Sequence, residues 1–273
     1  MRAHAVRRFS RRFRESVALP LAGLVTTAAA AQVPPAAVAQ APSAAAAQAP
    51  SAAVIQAPSG AEAGIAPFAA HYEASWKGFS VGTSDLQLKE DSVAGRYVYT
   101  WTITAHGIFR LAYPDDLVQT SVFSVVGGHA RPLQYRAAQG PSSVDLDFDW
   151  DGERLRGTSE KKTVDLELKE GVQDVMSIQV EVMLDLKAGN LPTTFQIIDK
   201  DQPKDFTYTE EGTANIRTAL GRLDTIIVSS QRTGNNRILR MWFAPSLGFA
   251  PVQAERSRDG KVEFAMRIKT LTR

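Results

Sequence analysis

The chain has 273 residues, no cysteine and a formal net charge of +2, which excludes disulfides, thiolate metal sites, a cysteine nucleophile and a lipid-modified cysteine. Before Gln32 the sequence holds six arginines against the single acid Glu15. The remainder is therefore slightly acidic, and the sequence pI of 8.8 is no footprint of nucleic-acid binding.

Residues 1–31 read as a secretion signal: a basic stretch from Arg2 to Arg14, an apolar run over 17–30, and small residues at 28–31 that offer cleavage sites. The run Ser10-Arg11-Arg12-Phe13 goes partway to a twin-arginine signal, but Arg14-Glu15 does not continue it, so the general secretory route is expected. The apolar run is shorter than the ~20 residues of a spanning helix, and no transmembrane span is expected once the signal is removed. Residues 32–67 repeat Ala, Pro, Gln and Ser, with Pro42, Pro50 and Pro58 in similar settings and almost no charge. Such a segment cannot bury a core and predicts a disordered linker. Residues 68–273 are then one domain with enough chain for a sizeable core. Its charge is uneven: 68–211 is acidic and 212–273 basic. The two parts can pair across one sheet system, or the basic part can present a face to anionic lipid or polysaccharide.

From Phe68 the apolar residues alternate, as in half-buried strands. Tyr72, Ala74 and Trp76 share one face, and Gly78 and Gly82 bend the chain into a strand over 83–89. The clearest strand covers 96–106, with Tyr97, Tyr99, Trp101 and Ile103 on one side. This aromatic row reads as core, or as a platform for sugar rings or acyl chains. Residues 107–116 predict a loop whose Ile108, Phe109 and Leu111 fold back over the sheet. Strands over 117–126 and 131–138 form a hairpin through Gly127-Gly128.

A turn at Asp151-Gly152 places Asp149 opposite Arg154, Phe148 opposite Leu155 and Asp147 opposite Arg156. The same stretch begins like a calcium loop, but Thr158 stands where the bidentate Glu belongs, so a charged strand face is expected and no metal. Val164, Leu166 and Leu168 complete another strand. The one convincing helix spans 173–187. Asp174 is placed as its N-cap; Ser177, Glu181 and Asp185 form a polar stripe, Val175, Ile178, Val182, Met183 and Leu186 form a broad apolar face, and Gly189, Asn190 and Pro192 end it. Strands follow over 194–199, 205–209, a long 212–231 segment bent at Gly221, 237–243, 249–258 and 261–271. The fold predicted is mainly β, an antiparallel open barrel or rolled sheet closed by one α-helix.

Of the histidines beyond the signal, His71, His106 and His129, none has metal-ligand spacing, and no nucleophile elbow, P-loop or dinucleotide motif is present. Asp174 and Ser177 read as capping residues, or as the mouth of a cavity.

Several segments together resemble a bacterial exported family, domain of unknown function 3108: Gly78-Phe79-Ser80-Val81-Gly82, His106-Gly107 into Tyr113-Pro114, Asp147-Phe148-Asp149-Trp150, Gln173-Asp174-Val175-Met176-Ser177, the run from Arg217 to Thr225, Met241-Trp242-Phe243-Ala244-Pro245, and Ala250-Pro251-Val252. Glu170-Gly171-Val172 and Ala219 depart from the family's usual prolines. The resemblance implies an envelope location and a mostly β domain, and carries over no catalytic residue. The expectation is a periplasmic protein of a Gram-negative bacterium, binding or scaffolding rather than catalytic, whose partner is a lipid, a glycan or an envelope protein. It needs no cofactor. Tyr97, Tyr99, Trp101, Asp174, Ser177 and Trp242 are the candidate ligand or partner surface. The alternative is a hydrolase or glycan-modifying enzyme with a dispersed site drawn from Asp115, Asp116, His106 and Asp174.

Overall fold

The computed structural model describes residues 64–273; the expected signal and all of the expected linker before Gly64 lie outside the described residues. Ile65, within the expected linker, is buried. Fifteen strands form one open sheet in the order β8-β7-β6-β5-β4-β3-β2-β1-β15-β14-β13-β12-β11-β10-β9. The order follows from two runs of hairpins. In the first, β1 (Phe68–Trp76), β2 (Phe79–Glu90), β3 (Arg96–Ala105), β4 (Leu117–Val126), β5 (His129–Gln139), β6 (Ser142–Asp149), β7 (Arg154–Ser159) and β8 (Lys162–Glu167) each pair with the next. In the second, β10 (Thr194–Asp199), β11 (Gln202–Thr218), β12 (Gly221–Arg232), β13 (Arg237–Ala244), β14 (Ala250–Arg258) and β15 (Lys261–Thr272) do the same. β15 then pairs antiparallel with β1, joining the two runs.

The hairpin registers follow the alternation of the sequence. Asp149 faces Arg154, Phe148 faces Leu155 and Asp147 faces Arg156. The carboxylates are engaged by arginines diagonally as well as directly: Arg136 reaches Asp145 at 3.1 Å and Asp147 at 2.8 Å, and Arg154 reaches Asp165 at 2.5 Å. Asp149 also accepts from the Gly152 amide at 2.9 Å, which fits a turn and not an ion loop.

Three expectations are corrected. Residues 108–112 form a short helix, α1 (Ile108–Ala112), in which Phe109 packs on the core while Ile108 and Leu111 stay exposed. The segment 212–231 is not one bent strand: it turns at Ala219-Leu220, and its first part continues β11 through a bulge between Glu210 and Gly212. The long helix begins later than Gln173. Gln173 and Asp174 form β9 (Gln173–Asp174), parallel to β10, and α2 (Ser177–Ala188) is the crossover between them. A parallel pair cannot be joined by a hairpin, so one helix is required where the sheet's only parallel pair occurs.

The sheet rolls around α2. Every residue from Ser177 to Leu186 is buried, so the helix is wrapped and is no lid on one face. Val180 and Leu184 supply apolar groups on the side away from Ile178 and Val182, as an enclosed helix requires. Gly189 closes the helix with φ of 70°, its amide and that of Asn190 returning to the last turn.

Candidate functional site

The rolled sheet comes together at a seam between β5 and the β9–α2 segment. β6 begins to pair with β5 only at Gln134, which leaves the outer edge of Ala130 without a neighbouring strand. Side chains from the facing segment take that place. The Gln173 side-chain amide donates to the Ala130 carbonyl at 2.8 Å, and Glu181 Oε2 accepts from the Ala130 amide at 2.5 Å. His129, one residue earlier, places Nδ1 2.7 Å from Glu181 Oε1 and 4.0 Å from Asp185 Oδ1. The imidazole is 65% exposed, whereas the Glu181 and Asp185 side chains are 6% and 5% exposed. The contact with Glu181 raises the His129 pKa. Burial, reinforced by neighbouring Glu181, pushes the Asp185 carboxyl up to about 7.

Below the seam the start of α2 is fixed to β4. Asp174 Oδ1 accepts from the amides of Met176 and Ser177, each at 2.7 Å, and Oδ2 accepts from Ser121 Oγ at 2.6 Å. The amides two and three residues on are those an N-cap would serve, although the first helical residue is Ser177 itself. Burial outweighs these hydrogen bonds and holds the Asp174 carboxyl up at about 6.

These contacts draw α2 toward β4 and β5. On the face that carries Ile178 and Val182, toward β10–β15, small spaces remain. A cavity of about 70 Å³ is lined by Val175, Ile178, Phe206, Tyr208, Leu239 and others. A second, of about 30 Å³, shares Val175, Ile178, Tyr208 and Leu239 and continues to Gln179 and Val182. A third, of about 20 Å³, shares Gln179, Leu239 and Met241 and reaches Tyr72 and Trp101. The three run along one side of the helix. The largest also touches Arg232, Asn235, Arg237 and Arg256, beside the β12–β13 turn. Arg232 is paired with Asp199 at 3.2 Å, and burial together with nearby Arg237 pulls the Arg256 guanidinium down to about 10. All three arginines come from the basic C-terminal part of the sequence.

The expected site residues are divided among these places. Tyr99 and Trp101 are buried; Tyr99 OH donates to Gln179 at 3.3 Å, Trp101 Nε1 donates to Ser84 at 2.5 Å, and Trp101 lines the third void. Tyr97 is half-buried and stacks on Phe123 with ring centres 5.5 Å apart. Asp174 and Ser177 are buried at the helix start. Trp242 is half-buried on β13 between Met241, which lines the voids, and buried Phe243, so strand alternation puts it on the other face. The four residues of the enzymatic alternative lead to different partners: His106 lies 3.5 Å from Thr83, Asp116 pairs with Arg110, Asp174 is held by Ser121, and Asp115 lies beside Gly140. The seam trio of His129, Glu181 and Asp185 was missed. The four-residue spacing on the helix was visible, but nothing local points from it to a histidine 52 residues earlier.

A family model described as "Protein of unknown function (DUF3108)" matches residues 71–266. Among curated proteins none matches the sequence. Among solved structures, a β-barrel-like protein of domain of unknown function DUF1849 from Brucella abortus superposes with a TM-score of 0.50 at 10% identity, covering 76% of this chain and 97% of that one. A candidate lipoprotein from Parabacteroides distasonis (9% identity) and a candidate exported protein with a YmcC-like fold from Bacteroides fragilis (6% identity) each give a TM-score of 0.30. Both cover 76% of this chain and 95% of their own. At such identities the first likeness speaks to the fold alone. Among the described residues no helix is long and apolar enough to cross a membrane.

Proposed function

The chain belongs to the DUF3108 family, whose description assigns no reaction, and we propose that it is an exported envelope protein that binds an anionic amphiphile without catalysis. The observation that carries this reading is the row of voids along α2, apolar in its depth and bordered by Arg232, Arg237 and Arg256 at one end. An acyl chain would lie against Ile178, Val182, Leu239 and Met241, with its acidic head among the guanidiniums, which suit carboxylate and phosphate geometry. The signal-like N-terminus supports export, and the periplasm is the compartment we assign.

The test is titration with a fluorescent polyene fatty acid and with the corresponding alcohol. Wild type should bind one acid per chain and prefer it to the alcohol. Leu239→Trp, which fills the junction of the voids, should abolish binding while the protein stays folded, and Arg237→Gln should cut the preference for the acid about tenfold, the equivalent of about 1.4 kcal/mol. Saturable binding that ignores Leu239→Trp, or no binding by wild type, would refute the proposal.

A further inference from the structure

We propose that His129, Glu181 and Asp185 form a binding site for a divalent transition-metal ion of the Zn²⁺ type, placed at the seam where it would join β5 to α2. This is a second site, about a quarter-turn around the helix from the row of voids, and it does not depend on what they hold.

Three observations converge. The first is geometric: one ligand atom from each of the three residues lies within 4.8 Å of the others. A tetrahedral zinc ion with bonds of about 2.0–2.1 Å holds its ligand atoms about 3.3 Å apart. The present separations of 2.7 Å from His129 Nδ1 to Glu181 and 4.0 Å to Asp185 lie on either side of that value. Small rotations of a half-free imidazole and the two carboxylates would bring these two separations to it.

The second observation concerns Asp185. Its side chain is 5% exposed, its Oδ2 has no hydrogen-bond partner among the described residues, and its nearest cationic group is the His129 ring at 4.0 Å. A buried carboxylate without a donor is costly, and here a second buried carboxylate, Glu181, stands one helical turn away. An ion of charge +2 balances both. Glu181 can supply Oε1 to the ion while Oε2 keeps the Ala130 amide, a hydrogen bond that fixes the ligand's orientation as outer-shell partners do in metal sites.

The third observation is the ligand set. One imidazole with two carboxylates suits zinc and its transition-metal neighbours, whereas calcium and magnesium prefer oxygen throughout. The exposed side of His129 gives the ion a path in and leaves room for water at a fourth position. The site therefore needs no rearrangement of the sheet.

Calorimetric titration of the tag-free chain with zinc chloride tests the proposal, alongside thermal melts with and without the metal. Wild type should bind one Zn²⁺ per chain, and a hundredfold excess over Kd should raise Tm by about 5–10 °C. His129→Ala changes an exposed side chain and Asp185→Asn preserves shape, so both should fold; each should weaken binding at least tenfold and, at the same zinc concentration, cut the rise in Tm to about half or less. Calcium chloride should give no comparable effect. Absence of zinc binding by wild type, or zinc binding and a Tm shift that persist unchanged in both variants, would overturn the assignment.

Discussion

Replacing Asp174 with asparagine separates the charge of this residue from its hydrogen bonds. Both backbone amides are accepted by Oδ1, an atom that asparagine keeps, and the new side-chain amide can donate to Ser121 Oγ. What disappears is the buried negative charge. The carboxyl is raised from 3.8 to about 6 by burial, about two units, or about 3 kcal/mol between the two protonation states. Because the folded-state value is the higher one, the favourable contribution is complete below about pH 4 and is lost as pH rises to about 6, after which it is constant. Asp174→Asn should therefore match wild type near pH 4.5 or fall slightly below it, then gain on it by about 2 kcal/mol by pH 7.5. Asp174→Ala instead leaves two amides and the Ser121 hydroxyl unpaired in the interior. At pH 4.5, where the native carboxyl is neutral, it should cost about 2–5 kcal/mol. Urea unfolding followed by tryptophan fluorescence at pH 4.5, 6.0 and 7.5 measures both. Parallel pH profiles for wild type and Asp174→Asn would show that the carboxyl is not desolvated as described and would refute the reasoning.

Gly82→Ala should destabilise by about 2–4 kcal/mol, because a Cβ at this position would overlap the backbone carbonyl oxygen of Thr104 on β3; a urea midpoint unchanged from wild type would contradict the close approach of β2 and β3. Gln173→Ala removes the side-chain amide that serves the Ala130 carbonyl at the seam, and the loss should be about 1–3 kcal/mol. It should be accompanied by faster hydrogen exchange at the start of β5, while the amides of β1 and β15 keep their protection.

The parts of the fold legible in the sequence are those settled by neighbours along the chain. Alternation placed β3, β4 and β14 almost to the residue, and the charge pattern around Asp151-Gly152 set the β6–β7 register because the turn itself determines which residues meet. The pairing of β1 with β15 joins segments about two hundred residues apart and leaves no local mark. β9 is two residues long, too short to show a period, so Gln173 and Asp174 merged with the helix that follows. The alternation of the aromatic row was visible along the chain, whereas the voids were not, since empty space depends on how far two elements stand apart. The arginines beside the β12–β13 turn were visible only as a basic C-terminal excess.

The position of α2 relates the two sites physically. A helix enclosed by a sheet and held by apolar contact alone would settle where it fills the most space, and the voids beside β10–β15 would close. Directional contacts act against this: Asp174 with Ser121, Gln173 and Glu181 with the two backbone groups of Ala130, and His129 with Glu181 all draw the helix toward β4 and β5. Each requires a buried polar or charged group where an apolar one would pack at lower cost. The voids add a second cost, since their lining atoms lack partners on one side. Two costs at one helix are accounted for together if the polar contacts fix its position and so keep the apolar space open for a ligand. An ion bound by His129, Glu181 and Asp185 would then strengthen that hold about a quarter-turn around the helix from the space.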